Sequence, residues 1–241
     1  MPADEATDAH PAGRAAEAPR LVFAHGSGHV GRDAFPLQAL DFPAAEFPVL
    51  PGYGDEEPAV GDVAAAAQAL ALRAADADSL VGYSYGGVVA AIAACMEQPA
   101  ALVLIEPALF QLSRDRPATA SLIERIEPIY LDPSLSDETF GRSFLRELQG
   151  EDPGELVSED ALRWSRRSRL HGAPWRHRID PEVLAETPML VLTGGWNAGY
   201  EEVAAALTEL GAAHEVLAGH EHRVIDHPDC SARIRDFVLE R

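Results

Sequence analysis

Gly82-Tyr83-Ser84-Tyr85-Gly86-Gly87 sets a serine between glycines two residues to either side. Ser79 to Tyr83 reads as a buried strand, and Tyr85 to Glu97 as a helix full of Ala, Val and Gly. A strand, a tight turn and a helix are the context in which a G-x-S-x-G turn presents a nucleophile. Side chains at positions 82 and 86 would strike neighbouring backbone, so glycine fits both. The serine itself is expected in a strained conformation of the kind tolerated at functional sites. The helix behind it points free N–H groups at the reacting centre. A serine hydroxyl needs a base. Imidazole suits, because a pKa of about 6.5 lets it take a proton and return it. Two candidates share one turn, Gly219-His220-Glu221-His222.

Bulk properties narrow the chemistry. The chain has 241 residues, 47% of them apolar, which suits one domain with an insertion. A net charge of −20 is the opposite of a nucleic-acid footprint and disfavours anionic membranes. There is no lysine, which removes Schiff-base and P-loop lysine chemistry. Cys95 and Cys230 lack metal-ligand spacing and read as reduced thiols of a cytoplasmic protein. The His220/His222 pair has no third ligand spaced to join it, so neither metal nor cofactor is expected. No basic start with an apolar run precedes Leu21, and no stretch is apolar enough to span a membrane.

The elements that must position these residues alternate. Short apolar runs at Leu21–Ala24, Glu46–Leu50, Ser79–Tyr83, Ala101–Ile105, Met189–Thr193 and His214–Leu217 read as strands. Helical patterns cover Asp62–Ala75, Glu201–Leu210 and Ser231–Glu240. The expected fold is therefore α/β, a mainly parallel open sheet with helices on both faces. The alternation breaks near residue 110. Residues 110–185 read as a helical lid over the C-terminal strand ends, residues 20–109 and 186–241 as the core, and residues 1–19 as a loose tail.

Four pieces in this order resemble the α/β-hydrolase superfamily: His25-Gly26-Ser27-Gly28, the Ser84 turn, Glu106 or Asn197, and His222. The resemblance spans everything except the tail and the insertion. It implies a serine esterase-like hydrolase acting on a small-molecule acyl substrate, without fixing that substrate or an oligomeric state. It implies an oxyanion hole built from the backbone N–H groups of Ser27 and Tyr85. Spacing from Gly219 favours His222 as the base, with His220 second. His25 reads as a residue that holds its loop. His10, His29, His171, His177 and His214 read as ordinary surface or loop positions.

The triad acid departs from the superfamily pattern. Asn197 stands 25 residues before His222, about where a carboxylate is expected. An amide brings no negative charge to an imidazolium. Glu106 ends the strand after the nucleophile helix, 22 residues beyond Ser84, and some superfamily members, notably certain haloalkane dehalogenases, carry their acid there. Pro107 is expected to hold it extended. Glu201 and Glu202 remain alternatives, and Asp226 follows His222 too closely. A serine at the turn argues against an epoxide hydrolase or dehalogenase, which place a carboxylate there. A lyase or cofactor-free haloperoxidase on the same triad stays open, as does a ligand-binding homologue without turnover. Six arginines between Arg163 and Arg178, with no acid among them, read as a basic face docked on the acidic body, or else as guides for an anionic substrate. Trp164 and Trp175 are expected to pack the lid, with lining the pocket as the alternative for either.

Overall fold

The computed structural model describes residues 19–75 and 77–240. The expected tail therefore lies outside the described residues, except for Pro19. Five strands, β1 (Leu21–Ala24), β2 (Ser79–Tyr83), β3 (Ala101–Ile105), β4 (Met189–Thr193) and β5 (Ala213–Val216), form one sheet in that spatial order. Every neighbouring pair is parallel. The first four strands are buried at every position, which is why they read as unbroken apolar runs. β5 forms one edge and is largely exposed.

The helices come in chain order as α1 (Pro36–Asp41), α2 (Val63–Ala74), α3 (Tyr85–Met96), α4 (Pro117–Leu131) and α5 (Asp137–Gln149). Then follow α6 (Glu159–His171), α7 (Pro181–Leu184), α8 (Ala198–Glu209) and α9 (Cys230–Leu239). Successive strand residues point to opposite faces. Val22, Leu80, Leu102, Leu104 and Val191 join one core with α2, α3 and α8. Phe23, Val81, Val103, Leu190 and Leu192 join the other with α9. Cys95 packs on the first core and Cys230 lies within the second, and both are free thiols.

The strand expected at Glu46–Leu50 shrinks to one bridge, Val22 to Glu46. Glu46 donates to Leu21 O and accepts from Phe23 N, both at 2.9 Å. Two residues on, Pro48 has no N–H to continue the ladder. Between β3 and β4 the chain forms α4 to α7. Ser136 and Ser158 cap α5 and α6, accepting from Thr139 N at 3.1 Å and Ala161 N at 3.2 Å. No helix among the described residues is long and apolar enough to cross a membrane.

The sheet centre should carry most of the stability. Leu104, fully buried, loses about 3 kcal/mol on Leu104→Ala through lost burial and a cavity. Leu40, 78% exposed, changes by less than about 0.5 kcal/mol on Leu40→Ala. Urea denaturation of both variants measures the contrast.

Candidate active site

Ser84 has φ 54° and ψ −120°, a conformation L residues rarely adopt. Its amide donates to Ile105 O at 2.9 Å, which ties the turn to the end of β3. The glycines around it are required by close approach. A Cβ on Gly86 would fall 2.2 Å from Ala24 O, and one on Gly26 would fall 3.1 Å from Ser84 Cβ.

His222 follows β5. Its Nε2 lies 3.0 Å from Ser84 Oγ, and its Nδ1 lies 3.2 Å from Glu106 Oε2. Tyr83 OH donates to His222 O at 3.1 Å and fixes the backbone of that loop. Gly194 permits the loop to pass, since a Cβ there would fall 2.2 Å from Glu221 O. His220 turns away and packs against His227, with ring centroids 5.3 Å apart.

Glu106 is fully buried at the end of β3. It is not extended, as Pro107 led us to expect. Its φ is 45°, so the chain leaves the strand sharply and turns the carboxylate toward the β4 and β5 loops. There the compensation for burial is found. Gly194 N donates to Oε1 at 2.6 Å, and Trp196 Nε1 donates to Oε2 at 2.9 Å. With Glu106 accepting, His222 carries its proton on Nδ1. Nε2 is then free to accept from the Ser84 hydroxyl.

The other carboxamide and carboxylates are engaged elsewhere. Asn197 caps α8, accepting from Gly199 N at 2.9 Å, and donates to Leu148 O at 2.9 Å, which joins α8 to α5. Glu201 accepts from Gly195 N at 3.2 Å. Glu202 accepts from Ala118 N at 2.9 Å and Thr119 N at 2.7 Å, at the positive end of α4. Asp226 pairs with Arg223.

Ser27 and Tyr85 both line the cavity with Ser84. Their backbone N–H groups make no hydrogen bond among the described residues. His25 braces this loop. Its Nδ1–H donates to Gly26 O at 2.7 Å, and its Nε2 accepts from Leu50 N at 3.0 Å. Burial lowers its pKa to about 4, which keeps it in the neutral form these bonds require. Trp164 Nε1 donates to Ser27 Oγ at 3.2 Å and links α6 to the same loop.

The cavity over Ser84 holds about 420 Å³. Loops after β1, β2, β4 and β5 form one side, and α4, α5 and α6 the other. His171 is not a surface residue, whereas His177 sits half-buried in a loop, as expected. His171 is 8% exposed and faces the cavity, because α6 packs against Gly52 and Gly61. His177 Nε2 lies 3.4 Å from Tyr85 OH. Burial lowers both pKa values, that of His171 to about 4. None of the six arginines lines this cavity. Arg163 and Arg167 donate to the Glu56 carbonyl at 2.7 Å and 3.0 Å. Arg166 and Arg169 pair with Asp137, and Arg176 with Glu127. Among the described residues, no three His, Cys, Asp or Glu side chains are grouped to hold a metal ion.

The alpha/beta hydrolase family model matches residues 21–229. The chain belongs to that family. No curated protein sequence matches it. Several solved structures share its fold. MenH from S. aureus superposes with a TM-score of 0.64 at 20% identity, over 92% of this chain and 94% of that one. The haloalkane dehalogenase DatA from Agrobacterium tumefaciens gives 0.59 at 18%, over 93% and 90%. The esterase RhEst1 from Rhodococcus gives 0.56 at 19%, over 92% and 90%. At these identities the likeness is one of fold.

Two predictions follow from the hydrogen bonding of this α/β-hydrolase. Asn197→Ala removes a helix cap and lowers stability by about 1 kcal/mol in a denaturation experiment. His25 has a depressed folded pKa, so its contribution is complete above the unfolded value of about 6.5. It is lost as pH falls toward about 4, by about 3 kcal/mol at most. Denaturation at pH values above and below that window measures the loss. His25→Gln should lower stability at neutral pH and narrow the difference.

Proposed function

We propose that the chain is a serine hydrolase that cleaves an ester-like carboxylic acyl bond through an acyl-enzyme on Ser84. The observation that carries this reading is the continuous line from Ser84 Oγ to His222 Nε2, 3.0 Å, and from His222 Nδ1 to Glu106 Oε2, 3.2 Å. In this mechanism Ser84 Oγ attacks the carbonyl carbon while His222 Nε2 takes the hydroxyl proton. The N–H groups of Ser27 and Tyr85 receive the oxyanion, each contributing about 3–4 kcal/mol to the transition state. His222 returns its proton to the departing alkoxide. A water molecule, deprotonated by the same nitrogen, then attacks the acyl carbon; the bond from that carbon to Ser84 Oγ breaks, Oγ takes the proton back from His222, and the carboxylic acid leaves. Glu106 holds the Nδ1–H tautomer and stabilises the imidazolium. Residues 110–185 act as the cap that closes over a small-molecule substrate. No step calls for a cofactor. Two unpaired thiols on opposite sheet faces fit a cytoplasmic setting.

Glu106→Gln separates this reading from its competitors. It should lower kcat/KM for a nitrophenyl ester by about a thousandfold or more with the circular dichroism spectrum unchanged. Asn197→Ala should stay within about tenfold of the unaltered protein. A larger loss from Asn197→Ala than from Glu106→Gln would remove Glu106 from the acid role.

A further inference from the structure

The chain has five tyrosines, three tryptophans and eight phenylalanines. Every tyrosine (Tyr53, Tyr83, Tyr85, Tyr130 and Tyr200) lines the cavity over Ser84. So does every tryptophan: Trp164, Trp175 and Trp196. Of the phenylalanines, two do, Phe110 and Phe144, while others such as Phe23 and Phe35 are sealed in the core. The rings that carry a polar edge are therefore gathered in one place, and most rings without one are not. Core packing alone would not sort them so, because it favours rings with no polar atom to satisfy.

Some of those polar edges are already used. Tyr83 holds the His222 loop, Trp196 holds Glu106, and Trp164 holds Ser27. Others are free. The hydroxyls of Tyr53 and Tyr130 make no hydrogen bond among the described residues, and burial raises both pKa values, so each stays an O–H donor. Ser168 Oγ and His171 Nε2, one helical turn apart on α6, are also unpartnered but are sealed from the cavity, His171 Nε2 against Gly52. A donor left unpaired in such a lining is costly, and a ligand oxygen that accepts from the Tyr53 or Tyr130 hydroxyl relieves the cost.

The lining also carries few charged side chains. Its one charged residue is Arg223, whose guanidinium is held by Asp226 at 3.0 Å. His171, which also lines it, is kept uncharged by burial. A carboxylate or phosphate entering here would lose its hydration and find no free cation.

We propose that the ester carries an uncharged aromatic ring system bearing hydroxyl or carbonyl oxygens. Its faces pack among Tyr130, Trp164 and Trp175, and its oxygens bond to the hydroxyls of Tyr53 and Tyr130. This rests on the hydrolase reading for the bond that is cleaved, but not for what the cavity binds.

The test is calorimetric titration of the Ser84→Ala protein with matched esters. The probes are a methyl hydroxynaphthoate, unsubstituted methyl naphthoate, methyl octanoate and the monomethyl ester of a naphthalene dicarboxylic acid. The hydroxynaphthoate should bind at least about tenfold more tightly than the octanoate and than the carboxylate-bearing ester. Tyr130→Phe in the same background should weaken hydroxynaphthoate binding about threefold to tenfold and naphthoate binding far less, which also shows that the variant is folded. Octanoate binding as tightly, or the carboxylate ester binding most tightly, would overturn the proposal. Turnover by the unaltered protein separates the two claims. Tight aryl binding without hydrolysis contradicts the hydrolase reading and leaves this one standing. Hydrolysis of all four esters at equal kcat/KM does the reverse.

Discussion

The buried carboxylate of Glu106 is the constraint on which the site depends. A charge at that depth must be met by hydrogen bonds, and the donors come from two different loops. Gly194 and Trp196 follow β4, and His222 follows β5. Because β3, β4 and β5 are consecutive neighbours in a parallel sheet, their C-terminal ends lie side by side, and the three loops converge without long excursions. The same bonds that stabilise Glu106 orient the imidazole. The imidazole in turn meets Ser84, whose backbone is tied to the end of β3 next to Glu106. Two residues of this small assembly, Ser84 and Glu106, are held at positive φ without being glycine. That strain is borne by the sheet beneath them.

Much of the fold was legible in the sequence because parallel strands are buried on both faces and read as short apolar runs. All five strands lie within a residue of where those runs place them. The ambiguous run was Glu46–Leu50, where Pro48 ends the pairing that hydrophobicity alone suggested. Helix α1 carries no clear periodic signal in its six residues and was not foreseen. Within the site, the Ser84 turn, the His222 loop and Glu106 stood out by residue type and by position after a strand. Asn197 did too, and its chemistry as a helix cap explains an amide there better than a lost acid does. The positive φ of Glu106 was hidden, since it depends on the donors that the β4 loop supplies. His171 was hidden for a similar reason. Its polarity suggests surface, and only the packing of α6 over the core reverses that. The gathering of tyrosines and tryptophans is tertiary as well, because Tyr53 and Tyr200 are far apart along the chain.

The arginine-rich stretch shows how charge and site separate. The guanidinium groups of Arg163 and Arg167 hold the carbonyls of the segment after Tyr53, and Arg167 lies 5.1 Å over the Tyr53 ring. Arg166 and Arg169 tie α6 to the start of α5 through Asp137. The basic side chains thus fix the helices that roof the cavity, while the cavity itself carries no unpaired charge. Placing Trp164 against Ser27 extends the same fixing to the loop beside Ser84.

The most direct measurement is the intact mass of the protein after exposure to a small fluorophosphonate, followed by peptide mapping. A serine made nucleophilic by His222, with amides waiting for the oxyanion, should take up one phosphonyl group on Ser84 and none after His222→Ala. Folded protein that gains no mass, or gains it at a residue other than Ser84, would contradict the account.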